Sequence, residues 1–173
     1  MDSTELSTFF NVGDTVVYPL QGVGKVLSIE DRKGRKYLRI GLKSSGMDIL
    51  LPLDNANNLG LRHLESENAV KNAIKSLSGK IQYSAKTDWK ERLNENQDLM
   101  KEGSVASIAS VVSSLYHRSK IKDLPALEKR LYDSALSMLV DESASVLGLS
   151  IEEMKRQIFS ALEPQCSEFQ ILQ

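Results

Sequence analysis

The apolar residues of this 173-residue chain change their spacing once, near Glu65, and that change limits the folds open to it. Before it, short runs rich in Val, Ile, Leu and Tyr (residues 10–18, 23–29, 36–42 and 47–52) are separated by Gly, Pro and Asp clusters. Such runs read as β-strands joined by tight turns. After it, glycine becomes scarce and apolar residues recur at the 3.6-residue period of amphipathic helices. The expected fold class is α+β with two domains, a small N-terminal β-barrel followed by a C-terminal all-α helical bundle.

About four or five short strands fit one strongly bent barrel over residues 9–64. Gly22-Val23-Gly24 is placed to give such a barrel its corner, by positive φ or close backbone approach. Asp31–Lys36, polar and carrying Gly34, reads as one hairpin loop and Lys43–Gly46 as another. Arg32, Lys33, Arg35 and Lys36 concentrate positive charge at the first of these, with Arg39 beyond it. Two readings are open: a solvated turn that resists aggregation, or an electropositive contact for an acidic protein surface or a phosphate backbone.

The second part, residues 65–163, carries five start signals. Ser66 caps a helix with Val70, Ala73, Ile74 and Leu77 inward, ended by Ser78-Gly79. Lys80–Lys86 reads as a linker. Asp88, three residues before Glu91, caps a helix with Trp89 in its first turn, Leu93, Gln97 and Met100 at helical spacing, and Gly103 as the stop. Ser104 caps a third helix with Val105, Ile108, Val111, Val112 and Leu115 inward. Leu124-Pro125 opens a fourth, whose apolar face takes Leu127, Leu131, Ala135, Met138 and Leu139. Ser150 and Glu153 box the start of a fifth, bearing Ile151, Met154, Ile158 and Leu162; Pro164 is expected to end it, leaving 164–173 as a tail.

Catalytic chemistry finds little support. His63 and His117 are far apart in sequence, have no Cys or carboxylate at metal-ligand spacing, and are expected at the surface or the barrel edge. Cys166 has no basic cluster to activate it, and as the single cysteine it excludes an internal disulfide framework. Asp141-Glu142 and Glu152-Glu153 are explained by solvation or capping. No metal, cofactor or enzymatic role is expected. A formal net charge of -1 argues against indiscriminate coating of nucleic acid. No apolar run approaches the ~20 residues of a membrane span. The acidic, polar start is unlike a secretory signal, so a cytoplasmic protein with residues 1–8 disordered is expected.

With these residues in view, the chain resembles the CarD/CdnL family of bacterial transcription regulators. The likeness is carried by Phe10-x-Val12-Gly13-Asp14-x-Val16-Val17-Tyr18-Pro19-x-x-Gly22-Val23-Gly24 and by Pro52-x-Asp54-Asn55-Ala56-x-x-Leu59-Gly60-Leu61-Arg62. The same barrel module occurs in the transcription-repair coupling factor. The second half is similar to the CarD helical domain through Asp88-Trp89-Lys90-x-Arg92 with Asn96, Val111-Val112-x-x-Leu115-Tyr116-x-Arg118, Leu124 and Glu128-Lys129-Arg130-Leu131. The resemblance covers about residues 9–163.

It implies a two-site bridge. The Tudor-like barrel docks on the RNA polymerase β subunit, with Arg32, Lys33, Arg35, Arg39 and Leu50 as candidate contacts. The helical domain reaches promoter DNA at the upstream edge of the melting region. Trp89 wedges into the minor groove there, and Lys90, Arg92, Arg118, Lys120, Lys122, Lys129 and Arg130 form one basic face on the backbone. Only differential binding to opened DNA is required, so no nucleotide or metal enters. A monomer is expected. Glu91 and Asn94 fall where many relatives carry basic residues, and Leu50 where some carry an arginine, so weaker intrinsic DNA affinity and a partly altered polymerase contact are expected. Two other readings remain: a barrel that binds RNA or ribosomal components, as in KOW-type barrels, and an adaptor whose Trp89 is packed. Tyr116 and Tyr132 read as core or core-edge.

Overall fold

The computed structural model describes residues 10–79 and 88–170, with side chains to Glu163. The expectations for residues 1–8, for the 80–86 linker and for the tail at 171–173 lie outside the described residues. The chain divides into two compact units between Leu64 and Glu65.

The first unit is a five-stranded antiparallel sheet. Its strands are β1 (Thr15–Tyr18), β2 (Gly22–Arg32), β3 (Arg35–Leu42), β4 (Asp48–Pro52) and β5 (Arg62–His63), in the order β4-β3-β2-β1-β5. A 3-10 turn, Leu53–Asn55, follows β4. Phe10, Val16, Val26, Leu38, Ile40, Leu42, Leu51, Leu53, Ala56 and Leu61 form the buried core. The β2–β3 turn is tighter than the loop expected from sequence. Lys33 and Gly34 alone turn the chain, both with positive φ (54° and 80°), while the Gly34 N–H donates to Asp31 Oδ1 at 2.9 Å. Two consecutive left-handed residues match the twist of the flanking strands, so pairing continues out to Arg32 and Arg35. Gly22 has φ 86°, and a Cβ on Gly24 would lie 2.8 Å from Ile40 Cγ2 and 3.0 Å from the Gly41 carbonyl oxygen. Both glycine roles expected of this corner are thus used.

One irregularity in β2 decides what the sheet shows outward. Val26 pairs with Ile40 but Ser28 pairs with Arg39, so Leu27 is a bulge. The extra residue reverses the alternation, and Ser28, Glu30 and Arg32 come opposite Arg39, Tyr37 and Arg35 on one face.

The second unit has five helices: α1 (Glu67–Ser76), α2 (Trp89–Glu102), α3 (Val105–Ile121), α4 (Ala126–Leu147) and α5 (Ile151–Gln170). Side chains of Ser66, Asp88, Ser104 and Ser150 accept backbone N–H bonds at four of the starts, from Ala69, Lys90, Ser107 and Glu153. Gly103 and Gly148 close α2 and α4 in the left-handed conformation. α3 is central, with Val105, Ile108, Ala109, Val111, Val112 and Leu115 fully buried, and Met100, Leu139, Met154, Ile158 and Leu162 pack in the same core. Among the described residues no single helix is long and apolar enough to cross a membrane.

Several sequence expectations are corrected. On α4, Leu127 is 50% exposed while Glu128 is fully buried. The inward seam passes through Glu128, Ala135 and Glu142, seven residues apart, rather than through Leu127. On α2 the buried residues are Arg92, Leu93, Asn96 and Met100, and Gln97 is exposed. α5 runs to Gln170, past Pro164: a proline removes a single N–H bond and leaves later ones possible. His117 is buried rather than superficial, and its Nδ1–H donates to the Ser113 carbonyl at 2.6 Å, since a carbonyl can only accept. Glu142 is likewise buried rather than solvated. It accepts the Glu65 N–H at 3.2 Å, while Glu65 Oε2 accepts the Val105 N–H at 2.6 Å.

Candidate partner face and nucleic-acid interface

On the first unit, the outward face of β2, β3 and β4 carries the candidate contacts. Glu30 stands between two arginines: Oε1 is 2.6 Å from Arg39 Nε and Oε2 is 3.0 Å from Arg32 Nη2. Arg39 also reaches Asp48 at 3.5 Å, and Arg35 meets Asp54 at 3.0 Å while lying 5.8 Å over the Tyr37 ring. The Arg39 and then the Arg32 hydrogen bonds hold the Glu30 carboxyl below its usual range. The Glu30 hydrogen bond raises the Arg39 guanidinium, as Asp54 raises that of Arg35. Leu50, half-buried on edge strand β4, is the cross-strand neighbour of Arg39. Lys33 is exposed at the hairpin tip. Arg32, Arg39, Arg35 and Leu50 thus share one face, and its charges are already matched by Glu30, Asp48 and Asp54.

On the second unit, three helix ends gather. α3 delivers Arg118, Lys120 and Lys122 to its C-terminal end, a short connection leads into the first turn of α4 with Lys129 and Arg130, and α2 begins at Trp89 and Lys90. The tie between the last two is an ion pair. Arg92 Nε is 3.1 Å from Glu128 Oε1 and Nη2 is 3.2 Å from Oε2, with side-chain exposures of 10% and 0%. This corrects the place of Arg92 in the expected basic face: its planar fork is turned inward to satisfy a buried carboxylate. Asn96, one turn on, is buried as well.

The remaining candidates stay outward. Trp89 is 37% exposed, the single tryptophan of the chain, with the Lys90 Nζ 5.8 Å over its ring. Lys120, Lys122, Lys129 and Arg130 are exposed and Arg118 is half-buried. No described carboxylate forms an ion pair with Lys90, Lys120, Lys122, Lys129 or Arg130. The Lys120 Nζ lies 5.0 Å over the ring of Tyr116, which is buried, as the core reading of that residue expects. Tyr132 is half-buried, and burial pushes its phenol up to about 12. Exposed Ile121 and Leu127 add apolar surface at these helix ends. Among the described residues no His, Cys, Asp or Glu group could hold a metal ion.

Sequence reasoning missed the partners that set these positions: Glu30 for Arg32 and Arg39, Glu128 for Arg92, and Glu142 for the start of α1. A seven-residue repeat that includes charged residues would have found Glu128 and Glu142. Nothing local in the sequence marks Glu30.

A five-stranded antiparallel sheet followed by five helices is the α+β two-domain layout of a CarD-like transcription factor. Residues 10–64 match the CarD-like/TRCF RID domain, and residues 72–159 match the CarD C-terminal domain. The chain belongs to the CarD family, which is non-enzymatic. It is also similar to "Putative transcription factor YdeB" of Bacillus subtilis (strain 168), 28% identical over 150 residues that span 84% of this chain and 97% of that protein.

Proposed function

We propose that the protein bridges RNA polymerase and promoter DNA in the cytoplasm, and that it holds the promoter open. The sheet unit binds the polymerase β subunit through the Arg32, Lys33, Arg35, Arg39 and Leu50 face. The helical unit binds DNA at the upstream edge of the bubble through Trp89 and the phosphate contacts Lys90, Arg118, Lys120, Lys122, Lys129 and Arg130. The observation that carries this reading is Trp89 itself. A bulky aromatic left partly exposed in the first turn of α2, beside cations that have no acidic partner among the described residues, suits insertion between base steps with charge neutralisation alongside.

Unstacking a base step costs on the order of a few kcal/mol, and an inserted ring offsets part of it only where the step is already open. The ring therefore favours the open complex over the closed one, and the equilibrium shifts by that difference in affinity. Glu91, Glu95 and Asp98 are exposed carboxylates along α2 and weaken attraction to phosphate, and Asn94, also exposed, adds no positive charge to offset them. Tethering through the sheet unit makes up for this by raising the effective concentration of the helical unit at the promoter.

The test is the lifetime of an open promoter complex with polymerase alone, with the protein, and with Trp89→Ala. The expected result is a longer lifetime that is mostly lost in the variant. Lengthening that survives the substitution moves the work to the lysines and arginines. No lengthening, with polymerase bound, returns the adaptor reading.

A further inference from the structure

We infer that the buried Arg92–Glu128 pair is the positioning device for the tryptophan wedge: it sets where Trp89 stands relative to the phosphate-facing first turn of α4. The inference rests on the wedge reading above.

The sequence of α2 shows why such a device is needed. Its fourteen residues are largely polar, and the first turn contributes little to the core: Trp89 is partly exposed, Lys90 and Glu91 are exposed, and only Arg92 and Leu93 are buried. A leucine in an apolar contact tolerates sliding and rotation, because dispersion and burial have no direction. A guanidinium meeting a carboxylate through two N–H···O bonds does not, because both the axial position and the rotation of the helix must be right at once. On the other side, Glu128 is followed directly by Lys129 and Arg130 in the first turn of α4. The bond lengths of 3.1 and 3.2 Å therefore couple the turn that carries the wedge to the turn that carries two cations.

Stability alone is a poor reason for the pair. Well-packed apolar replacements of a buried ion pair are often neutral or stabilising, whereas removing one partner strands a buried charge. What apolar replacements cannot reproduce is the fixed geometry. The double variant Arg92→Met with Glu128→Leu therefore separates positioning from stability.

The experiment compares full-length parent, Trp89→Ala, the double variant and Glu128→Gln. It measures melting temperature, time-resolved fluorescence anisotropy of the single tryptophan where present, and open-complex lifetime with polymerase. The expected double variant melts near the parent, shows faster local motion of Trp89, and loses at least about fivefold of the lifetime effect. A double variant that keeps the parent's anisotropy and lifetime overturns the inference while leaving the wedge intact. If that variant does not fold, Glu128→Gln decides, measured below its own melting transition: unchanged anisotropy and lifetime overturn the inference, and a loosened tryptophan with a shortened lifetime supports it. Failure of the wedge reading is separately visible, because Trp89→Ala then leaves the lifetime at the parent value.

Discussion

Glu30 and Arg39 meet at 2.6 Å across β2 and β3, and the same carboxylate also holds Arg32. Arg32 and Arg39, proposed to meet polymerase, are thus hydrogen-bonded before any partner arrives, and Glu30 competes with an acidic partner for part of their N–H donors. Glu30→Gln is expected to strengthen binding to the isolated polymerase β region, chiefly through faster association at low salt. Titration of both proteins at two ionic strengths measures this. Weaker binding by the variant would make Glu30 a support for the arginines rather than a competitor.

The same carboxyl gives a pH signature. Its folded pKa lies below the ordinary carboxylate value, so its contribution is present above that value and is lost as pH falls through the folded one. The melting difference between parent and Glu30→Gln should therefore be largest above about pH 5 and should close on acidification. Parallel melting curves across that window would mean that the pair contributes nothing to folding, a common result for exposed ion pairs.

Lys129 and Arg92 are close in the fold and should behave oppositely. Lys129→Gln removes an exposed cation that has no ion-pair partner among the described residues, so stability should change by no more than about 0.5 kcal/mol. The slope of log affinity against log salt on forked promoter DNA should fall by about 0.9 for one lost duplex phosphate contact. Arg92→Ala strands the Glu128 charge and should cost about 3–5 kcal/mol of stability. Denaturant melts and salt titrations of the two variants check both halves.

The division into sheet and helices was legible because period two and period 3.6 rest on apolar residues, which dominate burial. The caps were legible too: Ser66, Asp88, Ser104 and Ser150 act within three residues of themselves. What escaped was the identity of buried charges. Arg92 read as a phosphate contact because a cation beside a tryptophan looks superficial, and Glu128 was passed over for Leu127 because a seam is sought among apolar residues. Only the three-dimensional pairing makes burial of both tolerable. The Leu27 bulge was also hidden, since a single inserted residue has no compositional mark, yet it decides that Glu30 faces Arg39.

Gly24 tests the corner of the sheet. A methyl group there meets a side-chain carbon of Ile40 at 2.8 Å and a backbone oxygen at 3.0 Å, and the backbone oxygen cannot move aside without disturbing the β2–β3 ladder. Gly24→Ala is expected to destabilise the sheet unit by about 1–3 kcal/mol. Gly34→Ala meets no atom within 4 Å, so its cost comes only from the positive φ of 80°. A denaturant series on both variants, read by a probe in the sheet unit, should show two separate penalties of different origin.

Tyr132 gives the alkaline counterpart. Burial raises its phenol from 10.0 to about 12, so the folded protein holds the proton over a range in which the unfolded chain releases it. The unfolded state then binds fewer protons, and stability must fall as pH rises from about 10 through about 12. Solvent reaches part of the ring, which reduces the size of the effect without changing its sign. Tyr132→Phe removes the titration, so its stability should decline less steeply over that interval while matching the parent near neutrality. Melting curves at stepped alkaline pH, alongside a phenolate absorbance titration in which one of the five tyrosines is missing, measure the two predictions together. Equal slopes for parent and variant would show that Tyr132 ionises as freely in the fold as outside it, and would remove burial as the cause.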